Sequence, residues 1–475
     1  MTSVQEMSAL EQAAAIRRRE ISPVELVDHY LDRIHRLDDQ LGAFVTVTAD
    51  SARAEATAAQ RAVLDAADPA DLPPLYGVPL AIKDLNATAG VPTKLGSAAF
   101  ADWVPEYDDN IVVRLRRAGT ISLGKTSVPE LGLPCYTEPA IGPPARTPWD
   151  TTRLAGGSSG GAAAAVAGGL LPIAQGSDGG GSIRIPASVC GLVGLKPSRG
   201  RVSRGPIDGD ALGLSALGPL AQTVRDAAAF LDAVAGPMPG DPHWAPPLPA
   251  GETFLAHCDR DPGVLRIGRY LSSPIPAVVD EQVAKAWQHA AKLLADLGHE
   301  IVDVQPPIPA EAVPLFEMAW AVSAAAAPIP PQKEGLLVPL TRYLRERGAQ
   351  VGAADYARAI GALQTMCRRA IASQDVDIVL TPTVAQLPRP VGWFTDGGDP
   401  AADFERQKQF TPWTALYNTS GQPAVSLPLY QSSEGLPIGM MLVGRPAGEA
   451  ALLSLAAQVE EAAPWRGRHP AIWTH

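Results

Sequence analysis

Apolar positions near the N-terminus recur at helical spacing. Val24, Val27 and Leu31 fall on one face of a helix with a period of 3.6 residues. Residues 22–25 (SPVE) combine a serine cap, a proline at the first helical position and a glutamate three residues after the cap, which is a helix-start pattern. The pattern predicts two helices within residues 8–37.

Farther along, short apolar runs bounded by Gly, Pro and Asp alternate with amphipathic segments. The runs predict strands at residues 120–123, 170–174, 265–268, 301–304 and 376–380, and a strand pair at 422–428 and 436–443. The amphipathic segments predict helices at 108–117, capped by Asp108 or Asp109, at 280–297, and over much of 310–373. Strands that alternate with helices predict an α/β fold with a sheet covered on both faces.

Composition narrows the class of protein. The chain has 475 residues, 46% of them hydrophobic and 19% charged, with a formal net charge of −11. A large core is therefore available, and the acidic balance argues against a nucleic-acid partner. Residues 1–6 (MTSVQE) lack the apolar core of a signal peptide, and no apolar run reaches the roughly 18 residues of a membrane span. We expect a cytoplasmic protein without membrane contact.

The cysteines and histidines do not form a metal-binding pattern. Cys135, Cys190, Cys258 and Cys367 are scattered, without CxxC or Cys/His spacing. We therefore expect four free thiols, no metal site and no cofactor.

Candidate chemistry is concentrated in two glycine-dense turns that contain serine. Residues 156–161 read GGSSGG and residues 177–184 read SDGGGSIR, and no histidine lies between His35 and His243. A serine hydroxyl is a weak nucleophile until a base takes its proton. No GxSxG elbow suggests a histidine-based site, and GGSSGG lacks the GK[ST] ending of a phosphate-binding loop. The base that best fits upstream is Lys83, in the apolar run 78–84 (VPLAIKD).

This combination resembles the amidase signature family, whose members hydrolyse amides through a Ser-cisSer-Lys triad. The resemblance is densest over residues 76–226 and includes residues 188–197 (SVCGLVGLKP). It implies the amidase-signature fold with a large mixed central sheet. It also implies one domain over residues 1–475. The expected parts of that domain are a core at 70–235 and 411–465, N-terminal helices at 8–37, and a peripheral, mainly helical, substrate-shaping region at about 240–410.

The resemblance assigns three catalytic roles. Ser182 is the expected nucleophile, and Ser158, which follows a cis Gly157–Ser158 bond in this reading, relays its proton. Lys83 is the expected base, because burial among apolar neighbours disfavours the charged ammonium and lowers the pKa of a lysine.

Four backbone N–H groups at the second turn are expected to hold the oxyanion of the tetrahedral intermediate, since successive N–H groups in such a turn point one way. They belong to Gly179, Gly180, Gly181 and Ser182. At this turn the chain differs from the family pattern at two positions: Ser177 stands where threonine is common, and Gly179 where a larger residue is common.

Supporting roles are expected for three further residues. Ser159 provides a hydroxyl beside the triad, and Asp178 and Arg184 form an ion pair that pins the turn. The carboxylate of Asp84 would oppose deprotonation of Lys83, but strand alternation predicts that it points away.

Aromatic residues are only 5% of the chain, so clusters of them are candidates for a pocket wall. The expected pocket residues are Cys135, Tyr136, Trp393, Phe394, Trp413 and Tyr417.

The resemblance implies a serine amidohydrolase for small non-peptide amides, like the cyclic nylon-oligomer amidases, aryl-acylamidases and urethane-cleaving relatives. Its range would include anilides, carbamates and esters, and a homodimer is compatible with it. Two alternatives stay open. One is the glutamine-hydrolysing amidase subunit of a tRNA-dependent amidotransferase, although residues 214–219 (LSALGP) lack the Asp-Gln of that branch. The other is a non-catalytic binding or scaffold protein.

Overall fold

The computed structural model describes residues 3–207, 210 and 212–474, and within them eleven strands form two sheets. The strands are β1 (Phe44–Val47), β2 (Pro79–Lys83), β3 (Ile121–Thr126), β4 (Ile173–Asp178), β5 (Val193–Lys196), β6 (Ala216–Ala221), β7 (Arg266–Arg269), β8 (Glu300–Asp303), β9 (Ile378–Pro382), β10 (Ala424–Gln431) and β11 (Pro437–Val443).

Helices connect most of these strands. The α-helices are α1 (Ala9–Arg17), α2 (Pro23–Leu41), α3 (Ala49–Asp65), α4 (Asn110–Arg117), α5 (Gly160–Ala167), α6 (Arg184–Cys190), α7 (Val224–Val234), α8 (Phe254–His257), α9 (Glu281–Asp296), α10 (Ala312–Ala326), α11 (Pro339–Ala349), α12 (Ala353–Ala372), α13 (Pro400–Phe410), α14 (Thr414–Ser420) and α15 (Glu449–Ala462). Short 3₁₀ segments are Val4–Glu6, Pro69–Asp71, Ala98–Phe100, Glu130–Gly132, Pro331–Leu336 and Ala471–Thr474.

The larger sheet has eight strands in the order β4-β6-β5-β10-β11-β9-β7-β8. Pairing is antiparallel from β4 to β9 and parallel from β9 to β8, so the sheet is mixed. Alternate side chains of β11 enter different cores: Met440 and Leu442 pack with α7, α9 and α15, whereas Met441 and Val443 pack with α12 and α14. Because successive strand residues point to opposite faces, helices cover both faces, and the expected fold class is confirmed.

The region at about 240–410 is more closely joined to the sheet than the sequence suggested. It supplies β7, β8 and β9, which form one end of the eight-stranded sheet. Its helices α10 to α13 lie between these strands in the chain or directly after them. The description of this region as peripheral is therefore corrected, although three strands were predicted within it.

The strand that ends at Lys83 lies in a separate three-stranded sheet, in the order β1-β3-β2. Here β2 and β3 run parallel, and β1 pairs with β3 antiparallel. The backbone N–H of Lys83 donates a 2.8 Å hydrogen bond to the side chain of Gln175 on β4, so the two sheets meet at this point.

The predictions of individual helices and their caps have mixed outcomes. The start of α2 is confirmed, because the Ser22 side chain accepts from Glu25 N–H and the Glu25 carboxylate accepts from Ser22 N–H. The cap of α4 is corrected. Asp109 occupies the cap position, but its carboxylate accepts hydrogen bonds from Asn86 and from the Ala87 N–H instead. Helix α3 was not predicted, because its buried stripe is mostly alanine.

Candidate active site

Lys83 is fully buried at the end of β2. Its Nζ donates to Ser158 Oγ at 2.8 Å, to Ser177 Oγ at 3.0 Å and to the Ser177 carbonyl at 3.2 Å. Burial lowers the pKa of Lys83 to about 7, against the opposing effect of the Asp178 carboxylate. A substantial fraction of this amine is therefore uncharged at neutral pH.

Ser158 lies in the loop that leads into α5, and the Gly157–Ser158 peptide bond is cis, as the resemblance predicted. A Cβ at Gly157 would lie 2.7 Å from the backbone of Tyr136, so only glycine fits there. The next residue, Ser159, donates its N–H to the Ser182 carbonyl at 3.1 Å and its hydroxyl to the Ser177 carbonyl at 3.2 Å. These bonds hold the two serine-bearing turns side by side.

Ser182 lies in the turn between β4 and α6, with 7% of its surface exposed. Its hydroxyl borders a cleft and makes no hydrogen bond to any described residue. The structure thus joins Lys83 to Ser158 directly, and brings Ser182 beside them through the backbone rather than through a bond between the two hydroxyls.

The glycine turn before Ser182 is held by hydrogen bonds to the Asp178 carboxylate and from the Thr414 hydroxyl. The Gly181 N–H donates to Asp178 Oδ1 at 2.8 Å, and the Gly180 carbonyl accepts from the Thr414 hydroxyl at 2.6 Å. Gly181 has φ +130°, and a Cβ there would lie 2.4 Å from Thr414 Oγ1, so glycine is required. The expected donor set is corrected on one point, because the Gly181 N–H is already engaged.

Asp178 and Arg184 form the expected ion pair, with neither side chain exposed. Two guanidinium nitrogens reach the carboxylate at 2.8 and 2.9 Å, and Asn418 donates to it at 2.8 Å. Burial alone would raise the pKa of Asp178, but Arg184 and the other donors hold it well below its usual range. The carboxylate therefore stays ionised and organises the turn.

Asp84 is directed away from Lys83, as strand alternation predicted. Its carboxylate lies 3.6 Å from the buried Lys125 ammonium and accepts from the Lys94 N–H at 2.9 Å. Burial raises the pKa of Asp84 to about 6, while Lys125 opposes that effect. The charge beside Lys83 in the sequence is thus paired elsewhere.

A cleft of about 870 Å³, partly open to solvent, leads to Ser182. Most of its wall is apolar, and it is built largely from α10, α13, α14 and the loops before them. The lining residues are Leu133, Pro134, Cys135, Gly180, Ser182, Ile185, Pro274, Ile275, Ile308, Ala312, Val313, Phe316, Glu317, Trp320, Phe404, Gln407, Lys408, Thr411, Pro412, Ala415, Leu416 and Thr419.

Comparison with known proteins places this geometry in a family. A family model described as Amidase matches residues 25–453. The chain belongs to the amidase signature family. As a family member it is a hydrolase that acts on amide C–N bonds.

Three relatives illustrate the range of this amidase family. The chain is 40% identical over 472 residues to a putative amidase of Mycobacterium tuberculosis, and the match covers 98% of each chain. It is 37% identical to a glutamyl-tRNA(Gln) amidotransferase component from a Synechococcus species, over 98% of this chain and 99% of that one. The solved structure of a 6-aminohexanoate cyclic dimer hydrolase with its substrate superposes with a TM-score of 0.90 and 32% identity, and covers 99% of this chain and 100% of that one.

The cleft of this amidase uses only one of the six residues expected to line it, Cys135. The expectation is corrected for the other five, because their rings are committed elsewhere. Tyr136 stacks on Phe394 at 4.7 Å, Trp393 meets Phe394 edge-on, and all three pack in the core around α5. Trp413 and Tyr417 are completely buried, and the Tyr417 hydroxyl is hydrogen-bonded to Tyr270.

The aromatic part of the cleft wall comes from α10, which lies in a segment predicted to be helical but not predicted to line the pocket. Phe316 and Trp320 on α10 stack with ring centroids 5.6 Å apart. A Cβ at Gly179 would lie 3.4 Å from Trp320, and one at Gly180 would lie 3.8 Å from Phe316. The signal was present as two aromatic residues four apart in a helical segment, a spacing that places them on one face.

Ser177 was noted only as a departure from the family pattern, yet it supplies two of the three acceptors around Lys83 Nζ. Among the described residues, no group of three or more His, Cys, Asp or Glu side chains is arranged to hold a metal ion. Within the same residues, no helix has the length and apolar character to cross a membrane. All four cysteines are free, and Cys258 is half-buried whereas the other three are buried.

Replacing Arg184 with methionine is expected to lower the free energy of unfolding by about 3–5 kcal/mol, since the change leaves the buried Asp178 carboxylate without its cation. Chemical denaturation measures the loss. The matched control is Arg36→Met, which removes an exposed pair with Asp32 and is expected to cost less than about 1 kcal/mol. Equal stability of the Arg184 variant and the wild type would contradict this account of the turn.

Proposed function

We propose that this amidase hydrolyses small non-peptide amides through an acyl-enzyme on Ser182, with Ser158 and Lys83 as its proton relay. The observation that carries the proposal is the 2.8 Å contact between the fully buried Lys83 amine and Ser158 Oγ. A buried amine with a pKa of about 7 is a usable base at neutral pH, whereas an ordinary lysine is not.

In the proposed reaction, Ser182 Oγ rotates toward Ser158 and attacks the amide carbonyl. The Ser182 proton passes to Ser158 Oγ as the Ser158 proton passes to the neutral Lys83 amine. The carbonyl becomes a tetrahedral oxyanion, and in this proposal the N–H groups of Gly179, Gly180 and Ser182 donate hydrogen bonds to it. The relay then returns the proton to the leaving amine as the C–N bond breaks. Water attacks the acyl-enzyme by the same path and releases the acid.

The proposed substrate range follows from the cleft. Its apolar wall suits aliphatic and aromatic groups, and Phe316 and Trp320 stand beside the reacting turn. A Cβ at Gly179 would lie 3.4 Å from the Trp320 ring, so an aromatic surface adjoins the turn that is proposed to bind the carbonyl. We include anilides in the proposed range for this reason. Carbamates and esters present a comparable carbonyl to Ser182 and are included in the proposal.

The glutamine-hydrolysing amidotransferase component is the second candidate, supported by the relative in Synechococcus. Free glutamine has an ammonium and a carboxylate a few bonds from its amide. In the proposed pose, both charges would lie against the rings of Phe316 and Trp320, where burying unpaired charge is costly. We therefore favour the apolar amides. The scaffold alternative is set aside because a buried lysine at a serine hydroxyl is costly to maintain without chemistry.

A substrate panel tests the proposed function. We expect turnover of an apolar anilide, a primary amide and a carbamate at rates above that of glutamine, measured by amine or ammonia release. A serine-directed fluorophosphonate should form one stoichiometric adduct, and peptide mapping should place it on Ser182. Glutamine turnover that appears only with partner proteins would favour the amidotransferase reading. An adduct on another serine, or none, would overturn the proposed nucleophile.

A further inference from the structure

Two charged side chains stand in the mostly apolar wall of the cleft. Glu317 on α10 accepts a hydrogen bond from Lys408 on α13 at 2.8 Å, and both side chains line the cleft. Their relative exposures are 16% and 23%, so each is shielded from bulk water but reachable from the cleft. A charge in such a place interacts more strongly with a ligand than a charge in open solvent.

Each member of this pair has a second ionic partner, and the second partner of Lys408 is closer than that of Glu317. Lys408 also contacts the Glu405 carboxylate at 2.6 Å and lies over the Phe404 ring. Apart from Lys408, the one cation that contacts Glu317 among the described residues is Arg347, at 3.5 Å. If a ligand cation displaces Lys408 from Glu317, Lys408 keeps a close carboxylate. If a ligand anion displaces Glu317 from Lys408, Glu317 keeps only the longer contact. Exchange by a cation therefore costs less.

The Glu317–Lys408 pair and Ser182 line the same cleft, and α10 supplies part of the wall that they share. On that helix, Phe316 and Trp320 reach the glycine turn, since a Cβ at Gly180 would lie 3.8 Å from Phe316 and 4.0 Å from Trp320. A ligand that reaches both Ser182 and Glu317 therefore contacts a mostly apolar wall. The intervening part of the ligand is thus expected to be apolar.

We propose that Glu317 selects amides that carry an ammonium group at the far end of an apolar spacer. The inference rests on the proposed function, in which Ser182 attacks the amide. The ligand ammonium takes the place of Lys408 on the Glu317 carboxylate, and Lys408 turns to Glu405. Glu317 is a specificity-determining residue in this account and takes no part in bond breaking.

Matched substrates test the proposal. The acyl series consists of anilides of ω-amino, unsubstituted and ω-carboxy alkanoic acids at equal chain lengths. A mirrored series places the same end groups on the amine side. We expect kcat/KM for the ammonium substrate to exceed that of its neutral analogue by about tenfold at the best length in at least one series, since a charge-assisted hydrogen bond is gained. No ammonium preference in either series, or a preference for carboxylate, would overturn the proposal.

Variants distinguish direct binding of the ligand ammonium by Glu317 from a general effect of the protein's negative charge. Glu317→Gln should abolish the ammonium preference while the neutral anilide is still hydrolysed. Lys408→Gln should raise the preference, because the Glu317 carboxylate is then freed from its nearest cation. The matched control is Glu346→Gln on α11, an exposed residue, which should leave the ratio unchanged.

The outcomes also separate this proposal from the one on which it rests. Wild-type protein that hydrolyses none of the anilides would count against the proposed function itself. Hydrolysis of the neutral anilide with an unchanged ratio in Glu317→Gln would count against Glu317 alone.

Discussion

Replacing Ser182 with alanine is expected to lower amide hydrolysis by on the order of 10⁴-fold or more, since removal of an activated nucleophile is among the largest single losses in serine hydrolases. The substitution removes one oxygen atom that borders the cleft and makes no hydrogen bond to a described residue. The fold should therefore be unaffected. The measurement is kcat/KM for an anilide, together with the thermal midpoint of unfolding.

Ser433→Ala is the matched control for this prediction, because Ser433 is exposed in the turn between β10 and β11. It should keep wild-type turnover and fluorophosphonate labelling, whereas Ser182→Ala should lose both. Residual activity of Ser182→Ala within tenfold of the wild type would mean that another group attacks the carbonyl.

Replacing Lys83 with methionine is expected to lower kcat/KM by about 10³- to 10⁴-fold, the upper range for loss of a general base. Methionine preserves most of the apolar stem, so the cleft should keep its shape. In the wild type, the uncharged amine is the active form, and its fraction rises with pH. With a folded pKa of about 7, kcat/KM should increase as pH rises through neutrality and then level off. The variant should lose that rise.

Lys83→Met is expected to lower activity but to raise stability. The two measurements together therefore distinguish loss of the base from misfolding. The pKa of Lys83 is lowered in the folded state, so between the folded value of about 7 and the ordinary value near 10.4 the unfolded chain binds more protons. Stability contributed by this group therefore falls as pH decreases through that window. Lys83→Met should unfold at a higher denaturant concentration than the wild type at neutral pH.

An exposed lysine provides the control. Lys285 on α9 is 61% exposed and pairs with Glu281, so Lys285→Met should change neither the pH profile nor the stability appreciably. A Lys83→Met variant that retains the neutral-pH rise in kcat/KM would contradict the assignment of the base.

The sequence predicted which residues of the proposed catalytic centre lie close together better than it predicted the pocket around them. Lys83, Ser158 and Ser182 are far apart in the chain, but each sits in a motif whose local shape is dictated by glycine or by an apolar strand. The structure brings their motifs together at the junction of β2 and β4. Glycine-rich turns and an apolar strand can be predicted from sequence because their local conformation depends mainly on residues that are adjacent in the chain.

The residues that line the pocket were harder to predict from sequence, because the burial of a side chain depends on the whole fold. Trp413 and Tyr417 stood out as a cluster in an aromatic-poor chain, yet large rings fill cores as readily as they line clefts. Their positions are decided by contacts with Tyr270 and the loop at Ser272, which lie well over a hundred residues away in the chain. Phe316 lies in a segment that was predicted only to be helical, and its place beside the glycine turn depends on how α10 packs in the fold.

The predicted set of oxyanion donors was wrong at Gly181 for a different reason. Four consecutive N–H groups looked equivalent in sequence, but the Asp178 carboxylate that pins the turn takes one of them, at Gly181. Only coordinates distinguish a donor that faces the cleft from one that is used internally. The same holds for Ser177, whose hydroxyl accepts a hydrogen bond from the Lys83 amine and which does not line the cleft.

The proposed catalytic residues and most of the cleft wall lie in different stretches of the polypeptide, since Lys83 and both serine-bearing turns precede residue 185 whereas α10 and α13 begin at Ala312 and Pro400. Selection can therefore reshape what is recognised without disturbing how it is cut. In the laboratory, exchanging α10 and α13 with those of a relative offers a route to new specificities on an unchanged reaction centre.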